Sequence, residues 1–181
     1  RVASRGLGDV YKRQIQTLVV EGDTNLIQVN ANVGRASIIG LQWQARYKVS
    51  GGWRLGATLN ITRGRNGQGA SLSHIPPAFG MASASRSGEW LTVHARLHWS
   101  GWKRLEDYGP GNTDNPAEAT AAGTPAWWTA GIDLDAHLSE RITLSMGLHN
   151  FMDRHYKVFS SGISAPGRDW RVGLRWTPSA G

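Results

Sequence analysis

Residues 41–49 read Leu41-Gln42-Trp43-Gln44-Ala45-Arg46-Tyr47-Lys48-Val49. Side chains of an extended chain point to opposite faces in turn, so Leu41, Trp43, Ala45, Tyr47 and Val49 share one face and Gln42, Gln44, Arg46 and Lys48 the other. This is a strand with one apolar and one polar side. The alternation recurs along the chain. Trp53, Leu55, Ala57, Leu59 and Ile61 alternate with Arg54, Gly56, Thr58, Asn60 and Thr62. Leu91 to Trp99 alternates with Thr92, His94, Arg96 and His98, and Trp128 to Ala136 alternates with Thr129, Gly131, Asp133, Asp135 and His137. Ile142 to Leu148 and Trp170 to Trp176 repeat the pattern. Residues 77–86, resting on Phe79 and Met81, and 15–20 carry weaker versions.

Strands at 41–49, 53–62, 77–86, 90–99, 127–137, 141–150 and 168–176 follow. Each is long for a globular sheet, where ~5–6 residues is usual, and matches the ~9–11 residues a tilted membrane strand needs. The connections are 50–52, 63–76, 87–89, 100–126, 138–140 and 151–167, so short and long strictly alternate. Tight turns at one end and long loops at the other are the pattern of an outer-membrane barrel. Ser50-Gly51-Gly52 and Ser87-Gly88-Glu89 suit tight turns. Tyr47, Trp53, Trp90 and Trp176 lie next to short turns or the C-terminus, and Trp99, Trp102, Trp127, Trp128 and Trp170 next to long loops, which predicts two interfacial girdles. The polar face carries Arg46, Lys48, Arg54, His94, Arg96, Arg171 and Arg175, with Asp133, Asp135 and Asp169 as partners. Such a face suits a wet or plugged lumen, whereas a dry core would cost several kcal/mol per unpaired charge, on the order of its desolvation.

The chain has 181 residues, 23 glycines, 9 tryptophans, no cysteine and a net charge of +7. Zero cysteines exclude disulfides, thiolate metal sites and cysteine nucleophiles. No run of 18 apolar residues marks a transmembrane helix, and no signal peptide opens the chain. Residues 1–14, RVASRGLGDVYKRQ, lack periodicity and resemble translated sequencing-adapter sequence; the alternative is a natural disordered basic tail. They carry Arg1, Arg5, Lys12 and Arg13 against Asp9, hence +3 of the +7, and the basic balance gives little reason to expect a nucleic-acid partner. With 15–20 as an eighth strand, residues 15–181 read as the C-terminal piece of a larger barrel.

Residues 144–176 read LSMGLHNFMDRHYKVFSSGISAPGRDWRVGLRW. They resemble the C-terminal signature of TonB-dependent outer-membrane receptors, carried here by Leu148, Asn150, Phe151, Asp153, Arg154 and Tyr156, then Pro166, Gly167 and Arg168, then Trp170 to Trp176. Residues 36–43 and Ile75-Pro76-Pro77 resemble other recurrent pieces of that family. Gln42 stands where glutamate is common in the family, and Thr177 to Gly181 follow the final aromatic, Trp176. The resemblance implies an up-and-down barrel of about 22 strands. It implies TonB-energised uptake of a scarce ligand such as an iron-siderophore, haem or cobalamin, and no enzyme chemistry. The implied partners are outer-membrane lipid, a small-molecule ligand, the TonB–ExbB–ExbD complex acting through a region upstream, and the barrel-assembly machinery. No catalytic residue, cofactor or metal ligand is expected. A passive porin and a soluble carbohydrate-binding β-module are the alternatives.

Read on their own chemistry, Asn150 and Asp153 suit capping where a strand leaves the sheet. Pro166 stiffens the chain, Gly167 permits an unusual backbone angle, and Arg168 meets the outer interface. Ligand-contact candidates are Trp102, Arg104 and Tyr108 of the 100–126 loop, and His94 and His98. The two histidines lie about 13 Å apart at ~3.3 Å per residue, too far to share one metal. A Ser145–His149–Asp133 hydrolytic triad needs convergence across strands that no spacing demands. Gly64 to Gly69 is glycine-rich but precedes no helix, and reads as a flexible outer loop.

Overall fold

The computed structural model describes the main chain of residues 2–9, 14–18 and 27–31, and residues 35–110 and 114–178 in full. Its strands are β1 (Val2–Asp9), β2 (Gln14–Leu18), β3 (Ile27–Ala31), β4 (Ala36–Lys48), β5 (Trp53–Asn66), β6 (Phe79–Ser87) and β7 (Leu91–Ser100). They continue with β8 (Lys103–Arg104), β9 (Gly123–Thr124), β10 (Trp127–His137), β11 (Ile142–His149) and β12 (Asp169–Trp176). Eight form one sheet in the order β1-β4-β5-β6-β7-β10-β11-β12, every pair antiparallel; β2–β3 and β8–β9 are separate small ladders. This is the meander that the alternation predicts.

Register turns the alternation into two faces. Leu41 pairs with Ile61, Trp43 with Leu59, Ala45 with Ala57 and Tyr47 with Leu55. Across β7, β10, β11 and β12 the same row continues through Ala95–Ile132, Val93–Leu134, Leu134–Met146 and Met146–Val172. Directly opposed residues in an antiparallel pair point to the same side, so these side chains form one uninterrupted apolar surface. It is open rather than packed: Leu55 is 44% exposed, Val172 78% and Leu174 70%, and the buried apolar side chains among the described residues are Ala36 and Leu72. Among the described residues the sheet packs no dry core on its apolar face. No helix of the described residues is long and apolar enough to cross a membrane.

Several expectations shift. The eighth strand is Val2–Asp9, paired with Asp9 opposite Ile38 and Val2 opposite Ala45; Gln14–Leu18 instead pairs with Ile27–Ala31, outside the main sheet. Main-chain pairing at an open edge accepts almost any sequence, so a stretch without alternation, read as an artefact or disordered tail, can still add a strand. Asp9 and Ala36 both stand at the long-loop end of the sheet. β4 begins five residues earlier than expected and β5 ends four residues later. Gly64 and Arg65 therefore belong to the sheet. The turn after them is ordered: Asn66 Oδ1 accepts N–H groups of Gln68 at 3.0 Å and Ala70 at 2.9 Å.

β6 is the instructive case. Its expected anchors Phe79 and Met81 pair with Asn60 and Thr58, on the polar face. The apolar face is supplied by Gly80, Ala82 and Ala84, opposite Leu59, Ala57 and Leu55. Trp99 pairs with Gly80, and a Cβ on that glycine would fall 2.9 Å from the indole nitrogen. Small residues here seat their large neighbours, and counting large apolar side chains misassigns the side. Trp127 departs in the same way: it shares its side with Thr129 and Asp133, on the polar face, whereas Trp128 pairs with Trp99 on the apolar one. Tyr47, Trp53 and Trp176 at one end, with Trp99, Trp128 and Trp170 at the other, form the two aromatic rows.

Candidate functional site

Strands β7, β10, β11 and β12 place His94, Asp133, Gly147 and Arg171 on one rung of the polar face. The next rung holds Arg96, Gly131, His149 and Asp169. The glycines are the gaps into which charged neighbours lean: a Cβ on Gly147 would fall 2.9 Å from Asp133 Oδ1, and one on Gly131 3.1 Å from His149 Cα. Arg96 Nη2 donates to Asp133 Oδ2. Asp133 Oδ1 lies 2.8 Å from His149 Nε2. His149 Nδ1 lies 4.0 Å from Asp169 Oδ2, to which Arg171 Nε donates at 2.6 Å. Arg96, Asp133, His149, Asp169 and Arg171 follow one another along this chain of contacts. Pairs exposed to this degree each contribute ~0–1 kcal/mol, so what the chain chiefly provides is fixed orientation. Beside it opens a cavity of about 320 Å³ lined by Arg96, His98, Thr129, His149, Tyr156 and Arg171.

Three long loops lock together above this face. Asp114, 1% exposed, accepts from the backbone N–H of His74 at 2.6 Å and of Gly109 at 2.7 Å, tying the 67–78 loop to the 101–126 loop. Lys103 Nζ donates to the Ile75 carbonyl at 2.8 Å and sits 5.2 Å from the Phe159 ring centre. Burial pushes the Lys103 ammonium below its ordinary range, with Asp114 and Asp107 opposing. Lys157 Nζ pairs with Glu118 Oε2 at 2.7 Å, and that hydrogen bond holds the Glu118 carboxyl below its ordinary range. Asn115 Nδ2 donates to the Ser160 carbonyl at 3.0 Å. Between the 114–126 and 154–161 segments lies a mostly apolar cavity of about 400 Å³, with Tyr156 and Trp127 in its wall. Their rings sit 4.2 Å apart between centres, and the Trp127 indole N–H has no partner although it is buried.

The base of the 151–167 loop is a knot of side chain and backbone. Asn150, buried and at φ 45°, accepts the Arg154 N–H at 3.0 Å and donates to the carbonyls of Arg154 at 2.9 Å and Pro166 at 3.1 Å. Asp153 Oδ1 accepts the Arg168 N–H at 2.7 Å. Gly167 corrects its reading: it is absent from the positive-φ glycines, and a Cβ there would meet Asp153 Oδ1 at 2.7 Å. It is required for space, not for its backbone angle. Phe151 crosses to the apolar face, where it borders a shallow depression with Ala82, Ala84, Ala95, Leu97 and Ile132.

The five ligand-contact candidates do not converge. His98 borders the 320 Å³ cavity, while His94 lies opposite Ser85 and Asp133, two rungs away. Tyr108 turns inward, its hydroxyl 2.6 Å from Thr124 Oγ1 and its ring edge-on to Phe159. Trp102 donates to the Ala122 carbonyl at 3.0 Å, and exposed Arg104 pairs with Glu106 at 3.4 Å. Ser145 donates to Asp135 rather than to His149, so Ser145, His149 and Asp133 form no relay. Among the described residues no group of three or more His, Asp or Glu side chains is arranged to hold a metal ion. The Asp114 tie and the loop cavity lay beyond sequence reasoning, since both depend on loop partners about forty residues apart.

No protein-family model matches this chain, and no curated protein matches it. Solved structures do. The copper transporter OprC superposes with a TM-score of 0.76 at 18% identity, over 97% of this chain and 28% of that one. The ferric enterobactin receptor PfeA of Pseudomonas aeruginosa, a mutant in complex with enterobactin, gives 0.70 at 16%, over 97% and 29%. The ferric-catecholate import receptor Fiu of E. coli K12 gives 0.68 at 12%, over 97% and 25%. At these identities the likeness establishes the fold. The chain spans less than a third of the length of each of these proteins.

Proposed function

We propose that this chain is the C-terminal barrel segment of a bacterial outer-membrane receptor that takes up a scarce ligand with energy from TonB. One observation carries the reading: an apolar face whose charges, Arg86 beside Trp53 at one end and Arg63 and Arg65 at the other, stand at its margins, backed by a polar, ion-paired face under interlocked loops. Lipid on one side and an enclosed wet lumen on the other satisfy both faces at once. Fold likeness to a copper transporter and to ferric-siderophore receptors supports ligand import as the activity. Binding and gated passage need no bond chemistry.

In this reading residues 15–181 are the natural barrel segment, and residues 1–14 are foreign to the natural chain even though Val2–Asp9 pairs with the open edge of β4. The ligand meets Trp102, Arg104 and Tyr108 of the outer loops, then the lumen wall at His98 and His94. The barrel-assembly machinery inserts the strands, and a plug encoded upstream of Ile15 couples to the TonB–ExbB–ExbD complex.

The experiment uses the complete gene. Its product should partition into detergent, fractionate with outer membranes and restore growth on a limiting iron or copper source only when TonB is present. Uptake without TonB would establish a passive pore, and partition into the aqueous phase would establish a soluble module.

A further inference from the structure

The long-loop end of the apolar face does not end in neutral residues. β5 alternates Trp53, Leu55, Ala57, Leu59 and Ile61 on that face, and the next two residues in the same alternation are Arg63 and Arg65, opposite Ile39 and Ser37. Both are exposed. The opposite side of this strand end is accounted for: Leu72 and Ile75 of the inward-folded loop pack on Gly64, within 3.1 Å of where a Cβ would stand. Arg35, also exposed, lies one residue before β4 and adjoins Gly67. Three guanidinium groups therefore gather on the outer surface just past the apolar band. Arg65 donates to the Gly69 carbonyl at 2.8 Å, and no ion pair joins any of the three to an acid among the described residues. From Thr24 to Gly88 the sequence has no Asp or Glu at all.

Height sets the partner. From Trp53 in the inner aromatic row to Arg63 is ten residues. At ~3.3 Å each and a tilt of ~40° this rises about 25 Å, the height of the apolar band of such barrels. Arg63 and Arg65 then stand at the level where the outer leaflet carries its headgroups, and guanidinium pairs with phosphate through two parallel N–H donors. We propose that Arg35, Arg63 and Arg65 form a docking patch for the phosphates of an anionic outer-leaflet lipid. The inference rests on the membrane-barrel reading above. The arginines face away from the lumen, so the occupant is not the imported ligand. Headgroup phosphate offsets the mutual repulsion of three cations on neighbouring strands.

The test uses the full-length gene product, purified in neutral detergent, with bis-phosphorylated lipid A as the probe. Lipid A should raise the barrel's unfolding temperature, and dephosphorylated lipid A or inorganic phosphate should not. A variant with Arg35→Gln, Arg63→Gln and Arg65→Gln should bind the probe roughly a hundredfold more weakly, since each basic residue near a membrane surface contributes about one kcal/mol. Arg63→Lys with Arg65→Lys keeps the charge without the paired donors and should fall between. Arg46→Gln with Arg54→Gln, on the lumen side, should match the parent. Equal probe binding by the triple Gln variant, or an equal shift from inorganic phosphate, overturns the proposal while leaving the barrel intact. A product that does not insert into lipid bilayers overturns the barrel reading and this inference together.

Discussion

The polar face has two unlike halves. On β7 to β12 it carries Asp133, Asp135 and Asp169 among Arg96, His149 and Arg171, and neighbouring strands knit all but Asp135 into one chain of polar contacts. On β4 to β6 it carries Gln42, Gln44, Arg46, Lys48, Thr58, Asn60, Ser83 and Ser85, with no acid on these three strands. There Lys48 stands directly opposite Arg54, and the hydrogen bond that relieves Arg54 is a 3.3 Å contact to Ser87. Like charges directly opposed across a strand pair are unfavourable. The first half is a wall whose side chains hold one another; the second takes its order chiefly from backbone ladders. The loops follow suit: the knot at Asn150 stands over the paired half. A barrel wall of this kind is rigid where side chains satisfy each other and adaptable where they do not.

The difference can be broken at several points. The largest effect should come from Asn150→Ala, which removes three hydrogen bonds from a buried residue at the base of a loop. A loss of about 3 kcal/mol follows from stranding the Arg154 and Pro166 groups. Asn60→Ala, on the unpaired half, should change stability by less than about 0.5 kcal/mol. Urea unfolding of the full-length barrel in detergent compares the two directly, and equal losses would erase the distinction. Next, Asp133→Asn leaves Arg96 and His149 facing each other without their shared carboxylate, and should cost about 1–2 kcal/mol, discounted for partial exposure. Gln44→Ala is its counterpart on the other half and should be near neutral in the same assay.

Two glycines sharpen the contrast. A Cβ on Gly131 would meet the Leu148 carbonyl at 2.9 Å and His149 Cα at 3.1 Å, both backbone. Gly131→Ala should therefore cost about 1–2 kcal/mol and loosen the His149–Asp133 contact, visible as changed His149 ring chemical shifts by NMR. On the unpaired half a Cβ on Gly56 would meet only the Ser83 hydroxyl at 2.7 Å, which can rotate away. Gly56→Ala should be tolerated, and a comparable loss there would show that backbone crowding rather than side-chain order distinguishes the halves.

The smallest effect concerns pH at the loops. Glu118 is held below its ordinary value, near 4.5, by Lys157. Depressed in the folded state, it contributes stability that is fully present above about pH 4.5 and is lost as pH falls through its folded value. Limited proteolysis of the 114–126 segment should rise on acidification in the parent and become independent of pH between neutrality and that range in Lys157→Gln.

What could be read from residues alone follows from the period of two. Leu41 to Val49 or Trp170 to Trp176 declares its strand and its sides locally, because alternation needs no knowledge of the partner strand. The Asn150, Asp153 and Tyr156 motif was legible through its resemblance to a family signature, and the hydrogen bonds of Asn150 and Asp153 close within a few residues or across one loop. Of the candidate site, the polar face was legible and its contact geometry was not. Phe79 and Met81 pointed to the wrong side because β6 buries Gly80 under Trp99, a fact of register. Val2–Asp9 joined the sheet through main-chain groups that carry no side-chain signature. Sequence by itself determined a two-faced antiparallel meander with tight turns at one end. Tertiary structure alone decided that Arg96, Asp133, His149 and Asp169 form one chain, that Ser145 leaves it, and that Asp114 pins two loops. Those contacts join strands and loops far apart in sequence, and pairing across such distances is fixed only when ladder register brings the groups within hydrogen-bond reach.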